Sequence, residues 1–194
     1  MAITRQLWAA LKALLVLTVL LGVLYPAAIL AVGLVVPGQA NGSLVEVGGK
    51  VVGSSLLGQA ADGPQWFQAR PSASDYTGDT SGGSNLGPSA EDLATTVDER
   101  TAALREANPD APEAIPPDAL TASGSGLDPH ISAEYAAYQV PRVAAARGLS
   151  DEQVQRMVAA HTQHAALGFI GEDRVNVTEL NVALETTDAA AGRQ

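Results

Sequence analysis

Cysteine is absent from the 194 residues, so no disulfide and no thiolate metal site holds any part of this chain together. Aromatics are scarce, two Trp, four Tyr and two Phe, which leaves a core to be built on aliphatic side chains. Lysine ends at Lys50, which excludes a phosphate loop of the GxxxxGK[ST] type from everything after it, and the GxSxG nucleophile elbow is missing too. Acids are lacking before Glu46. All 21 Asp and Glu therefore face only 9 basic residues in 37–194, a formal charge of −12 there. Such a domain repels nucleic acid and anionic surfaces. Because the acids are spread along the chain, the charge reads as solubility rather than as a ligand set.

What the N-terminus does have is a long apolar run. Residues 13–36, ALLVLTVLLGVLYPAAILAVGLVV, carry no charge and only Thr18 and Tyr25 as polar side chains. As a helix these 24 positions reach ~36 Å, enough for a hydrocarbon core of ~30 Å. The run is longer than the core of a removable signal peptide, so an uncleaved anchor is expected in spite of the small residues Gly38-Gln39-Ala40. Pro26 is expected to disturb the helix. The flank 1–12 carries Arg5 and Lys12 and no acid, which predicts a cytoplasmic N-terminus and an extracytoplasmic domain in a plasma membrane.

Beyond the anchor the pattern is α+β: one transmembrane helix, a linker over 37–43, and a single mixed soluble domain over 44–185 with a β-hairpin, short strands and three helices. A frayed tail is expected over 186–194. Residues 43–47 and 50–53 flank Gly48-Gly49 as strand, two-residue turn, strand. Trp66-Phe67-Gln68-Ala69 reads as a short buried strand. Residues 70–88 form a long polar loop, followed by a helix to about Ala107 with Ser89 as its N-cap and Leu93, Val97, Ala103 and Leu104 on its apolar face. A helix from Ile131 or Ser132 to Arg147, stopped by Gly148, pairs with one from Asp151 to about His164, capped by Ser150. Arg174-Val175-Asn176-Val177 alternates as a strand.

Few residues suggest chemistry. Gly82-Gly83-Ser84-Asn85 precedes a helix and invites comparison with anion-binding loops, but an ordered loop bonding backbone or a partner is the stronger reading. Ser125, Asp128 and His130 supply the side chains of a hydrolase triad, yet three neighbours in one turn rarely reach that geometry. His161 and His164 form half a metal site without a third ligand. No catalytic and no metal residue is assigned.

Several motifs nevertheless match one family in order along nearly the whole chain. Arg70-Pro71-Ser72, the run Ser81-Gly82-Gly83-Ser84-Asn85-Leu86-Gly87-Pro88-Ser89, and the run from Thr121 through Ser123, Ser125 and Asp128 to Ser132 are the longest. Gln139 with Arg142-Val143-Ala144, and Arg174-Val175-Asn176-Val177 with Leu180-Asn181, add to them. With the single N-terminal span, the chain resembles the KdpC subunit of the Kdp potassium-transporting P-type ATPase. That resemblance implies a non-catalytic subunit whose partners are a potassium-translocating channel-like subunit and a P-type subunit that hydrolyses ATP. It also implies a catalytic chaperone that raises the partner's ATP affinity, with ATP as a ligand and no bound cofactor of its own. Contacts to such a ligand would then fall among the matched residues Gly82, Gly83, Ser84, Asn85, Ser123, Ser125, Asp128, Gln139 and Arg142. The alternative is an extracytoplasmic cap on the side where potassium enters, with no nucleotide contact.

Overall fold

The computed structural model describes residues 2–191. The chain divides into two compact units, Met1–Ser43 and Leu44–Gln194. In the first, helix α1 (Ala2–Val19), a π turn (Leu20–Leu24) and helix α2 (Tyr25–Val35) run on as one rod. These 34 residues are long and apolar enough to cross a membrane. The helix begins well before residue 13, because the flank from Ala2 to Lys12 holds good helix formers and no Gly or Pro. Proline has no N–H and its ring crowds the carbonyl four residues back. The π turn meets that demand just ahead of Pro26, with the Tyr25 N–H donating to the Leu20 carbonyl. A short helical turn, α3 (Pro37–Ala40), takes up most of the expected linker.

The second unit starts with the hairpin of β1 (Leu44–Val47) and β2 (Lys50–Ser54), antiparallel and bulged after Val45. Its turn is Gly48-Gly49, both at positive φ (58° and 78°), as a two-residue turn matched to strand twist requires. Helix α4 (Glu91–Ala107) follows the long loop. Its N-cap is Ala90, without a side-chain cap, in place of Ser89. Of the apolar face predicted for it, Leu104 packs against the core. The turn α5 (Pro117–Leu120) leads to β3 (His130–Ser132) and then to α6 (Ala133–Arg147) and α7 (Asp151–Ala160).

The ends of α6 and α7 are set by local chemistry. Ser132 Oγ accepts from the Tyr135 N–H, Gly148 closes α6 at φ 66°, and Ser150 with Gln153 forms a complete capping box. Helix α7 stops at Ala160, four residues short of the expected end, because the chain turns at His161 into β4 (Thr162–Gln163). Strand β5 (Arg174–Asn176) lies between β3 and β4, antiparallel to both, with Ile131 opposite Val175. Helix α8 (Val177–Ala191) is a helix that the sequence reading leaves out, and it turns residues 186–191 of the expected tail into helix; 192–194 lie outside the described residues. The core joins Phe67, Ile131, Val140, Val143, Val154, Val175, Leu180 and Leu184, all 1–2 % exposed or less. Each such side chain contributes roughly 1.5–3 kcal/mol by leaving water.

Residues 66–69 form no strand, and of the four only Phe67 is buried, with Trp66, Gln68 and Ala69 half-buried. Asn181 and Gln139 take the place of neighbouring strands. Phe67 N–H donates to Asn181 Oδ1 (2.9 Å) and Asn181 Nδ2 donates back to the Phe67 carbonyl (2.9 Å). Gln68 N–H donates to Gln139 Oε1 (2.7 Å) and Gln139 Nε2 to the Gln68 carbonyl (3.0 Å).

Candidate functional site

The two glycine- and serine-rich loops, 72–85 and 121–130, meet. Gly82 N–H donates to the Ser125 carbonyl (2.8 Å), which Ser81 Oγ also reaches (3.0 Å). Ser123 N–H donates to the Pro71 carbonyl (3.0 Å). Ser72 is the hub: its hydroxyl donates to the Gly126 carbonyl (2.6 Å) and accepts from the N–H groups of Ser74 and Tyr76 (3.1 and 3.2 Å). Gly126 sits at φ 70°, and a Cβ there would lie 2.4 Å from Ser74 Oγ and 2.8 Å from the Gly82 carbonyl. Only glycine fits both the dihedral and the space.

Charge gathers at one end of this clasp. Arg70 approaches Asp128 (3.8 Å) and the carbonyls of Thr121 and Ala122 (3.5 Å each). Asp128 Oδ1 accepts from the His130 N–H (3.0 Å), fixing the turn into β3. Tyr76, itself at φ 55°, donates its hydroxyl to the Arg70 carbonyl. Burial, helped by the carboxylate of Asp128, holds the Tyr76 phenol above its ordinary value.

Of the residues singled out in the sequence, Gly82, Gly83, Ser123, Ser125 and Asp128 fall together here. Ser84 and Asn85 are exposed at the edge, and Asn85 Nδ2 bonds the Gly83 carbonyl (3.1 Å). Gln139 and Arg142 bond another segment. Arg142 donates to the carbonyls of Pro64 (2.7 Å) and Trp66 (2.9 Å), to Asn108 Oδ1 (2.8 Å) and to Gln139 Oε1 (2.6 Å). The loop 82–85 is separated from α4 by residues 86–90, and the first turn of that helix carries Glu91 and Asp92, which disfavour an anion there.

The remaining candidates disperse. Ser125 Oγ accepts from the Leu127 N–H (3.1 Å), while His130 Nδ1 lies 3.4 Å from Asp128 Oδ1, so serine and imidazole do not form a relay. His161 Nδ1 faces the Met157 carbonyl (2.8 Å) and His164 Nδ1 faces Asp173 (2.8 Å), so the two do not share a helical face. Sequence reasoning missed Ser72, Tyr76 and Asn181 as organising residues. Asn181 had no local signal, since its partner is Phe67.

The family model described as "KdpC: K+-transporting ATPase, c chain" matches residues 7–186. The chain belongs to the KdpC family. Relatives bearing the name potassium-transporting ATPase KdpC subunit include one from Kineococcus radiotolerans, 55% identical over 184 residues and 94% of each chain. Another, from Sorangium cellulosum, is 53% identical over 180 residues, 91% of this chain and 95% of its own. A third, from Herpetosiphon aurantiacus, is 51% identical over 180 residues, 91% and 93% respectively. The KdpC match spans both units, so the apolar helix belongs to the family pattern together with the α+β domain.

Proposed function

We propose that this chain is a non-hydrolysing, single-span accessory subunit of a potassium-transporting ATPase, assembled with a channel-like subunit and a P-type subunit that hydrolyses ATP. Its N-terminal helix docks among their helices through the small residues Gly22, Ala27, Ala28, Ala31 and Gly33, and its acidic domain stands on the side where potassium enters. The observation that carries this reading is the clasp. The loops that hold the most distinctive motifs turn their polar groups on each other, with Ser72, Gly82, Ser123 and Gly126 all bonded inside it. That supports a locked scaffold over an open phosphate cradle.

A second reading, a chaperone for ATP binding by the partner, draws on the convergence of Gly82, Gly83, Ser123, Ser125 and Asp128 at one place. One measurement separates the two. Ser125 is exposed, and a Ser125→Cys chain has a single thiol. Labelling of intact cells by a membrane-impermeant maleimide is the expected result and places the domain away from cytosolic ATP. Labelling only after permeabilisation would reverse the orientation and favour the nucleotide reading.

A further inference from the structure

We propose that the tip of the β4–β5 hairpin, with the cleft beside it, is the docking surface for a basic loop of another subunit of the ATPase. This rests on the accessory-subunit reading above and names the face and the chemistry of its partner.

The tip is apolar, exposed and held in one shape. Leu167 is 83%, Phe169 77% and Ile170 55% exposed. Ala166 and Ile170 exchange both backbone hydrogen bonds at 2.9 Å, and Gly168 N–H donates to the Ala165 carbonyl (2.9 Å). Leu167 sits at φ 56°, a conformation that costs a residue with a Cβ of the order of 1–2 kcal/mol. Below the tip, Asp173 accepts from the Ala165 N–H (2.9 Å) and faces His164. Three large apolar side chains are thus presented to solvent on a braced turn, without any contribution to the core. A solvated loop has no use for that arrangement; a contact surface does.

Charge selects the occupant. The residues that follow the tip, 171–174, line an open cleft of about 1540 Å³ together with Pro112, Ile115 and Pro116. Six carboxylates line it, and only two arginines. Arg70 is near Asp128, and Arg174 Nε is bonded to Gln163 (3.1 Å) rather than to an acid. Asp118 holds the N–H and hydroxyl of Ser132 (2.7 and 2.9 Å). Asp110, Glu134 and Glu172 remain exposed and make no ion pair or hydrogen bond among the described residues. An apolar knob beside an apolar cleft with uncompensated carboxylates on its rim suits a loop whose Lys or Arg side chains lie next to aliphatic ones. The same carboxylates repel an anionic lipid surface.

The test uses the whole complex, purified through a tag on the ATP-hydrolysing subunit, with Phe169→Cys carrying a photoreactive benzophenone maleimide. The expected adduct, identified by mass spectrometry, lies on a Lys- or Arg-containing loop of another subunit. Asp110→Asn, Glu134→Gln and Glu172→Gln combined should lower its yield at least five-fold. The same charge change on α4, Asp98→Asn, Glu99→Gln and Glu106→Gln, should leave it unaltered. Adducts only on lipid, only on a second copy of this chain, or equal losses from both triples overturn the proposal. If the chain co-purifies without any adduct, this surface is wrong while the subunit reading stands. If the unmodified chain fails to co-purify, the subunit reading itself falls.

Discussion

Asn181 and Gln139 each give a buried backbone both a donor and an acceptor, the service a neighbouring strand renders in a sheet. Removing Asn181 leaves both peptide groups of the buried Phe67 unpaired, and each such group costs about 1–3 kcal/mol. Asn181→Ala should therefore lower stability by about 2–4 kcal/mol, read as a drop in the thermal midpoint of the full chain in detergent micelles. The loops offer a matched pair of glycines. Gly126→Ala drives a methyl into the Gly82 carbonyl and Ser74 hydroxyl at positive φ and should unlock the clasp, whereas nothing lies within 4 Å of a Cβ on Gly124. Limited proteolysis within residues 72–85 should accelerate for Gly126→Ala and stay unchanged for Gly124→Ala.

At the level of elements, the helices that could be read are those whose ends are written locally. Ser132, Gly148 and Ser150 with Gln153 bracket α6 and α7, and Ser150→Ala should cost α7 about 1 kcal/mol, visible as faster amide exchange in its first turn. Helix α8 was legible as well, through a signal passed over: Asn176 Oδ1 accepts from the Glu179 N–H (3.0 Å), an Asn-x-x-Glu start that the β-branched residues around it disguised as strand. The strip 66–69 was not legible, because a short apolar run reports burial and not which group supplies the hydrogen bonds. The β4–β5 hairpin adds a pH dependence. The backbone bond from Ala165 and the His164 side chain hold the Asp173 carboxyl below its ordinary value. Its stabilisation is present above the unfolded value of 3.8 and fades as pH falls through the lower folded one. Exchange at Ala165 should thus be faster in Asp173→Asn than in the unaltered chain at pH 6, and the two should converge at strongly acid pH.

For the whole molecule, composition and one apolar run suffice to divide the chain into a helix apolar enough to cross a membrane and an aliphatic α+β domain, and the meeting of the two glycine-rich loops does not follow from either. Gly82 and Ser125 are joined by a hydrogen bond across 43 positions, a distance over which no local preference speaks. The strip at 67 reaches further still, to Asn181, 114 residues on in a chain of 194. Ribosomes deliver chains from the N-terminus, and domains fold as units. The apolar helix thus emerges before the domain, while Phe67 waits for a partner made 114 residues later. Completion of the domain therefore follows the synthesis of Asn181, and any truncation before it leaves a chain whose Phe67, fully buried in the finished fold, has nowhere to settle.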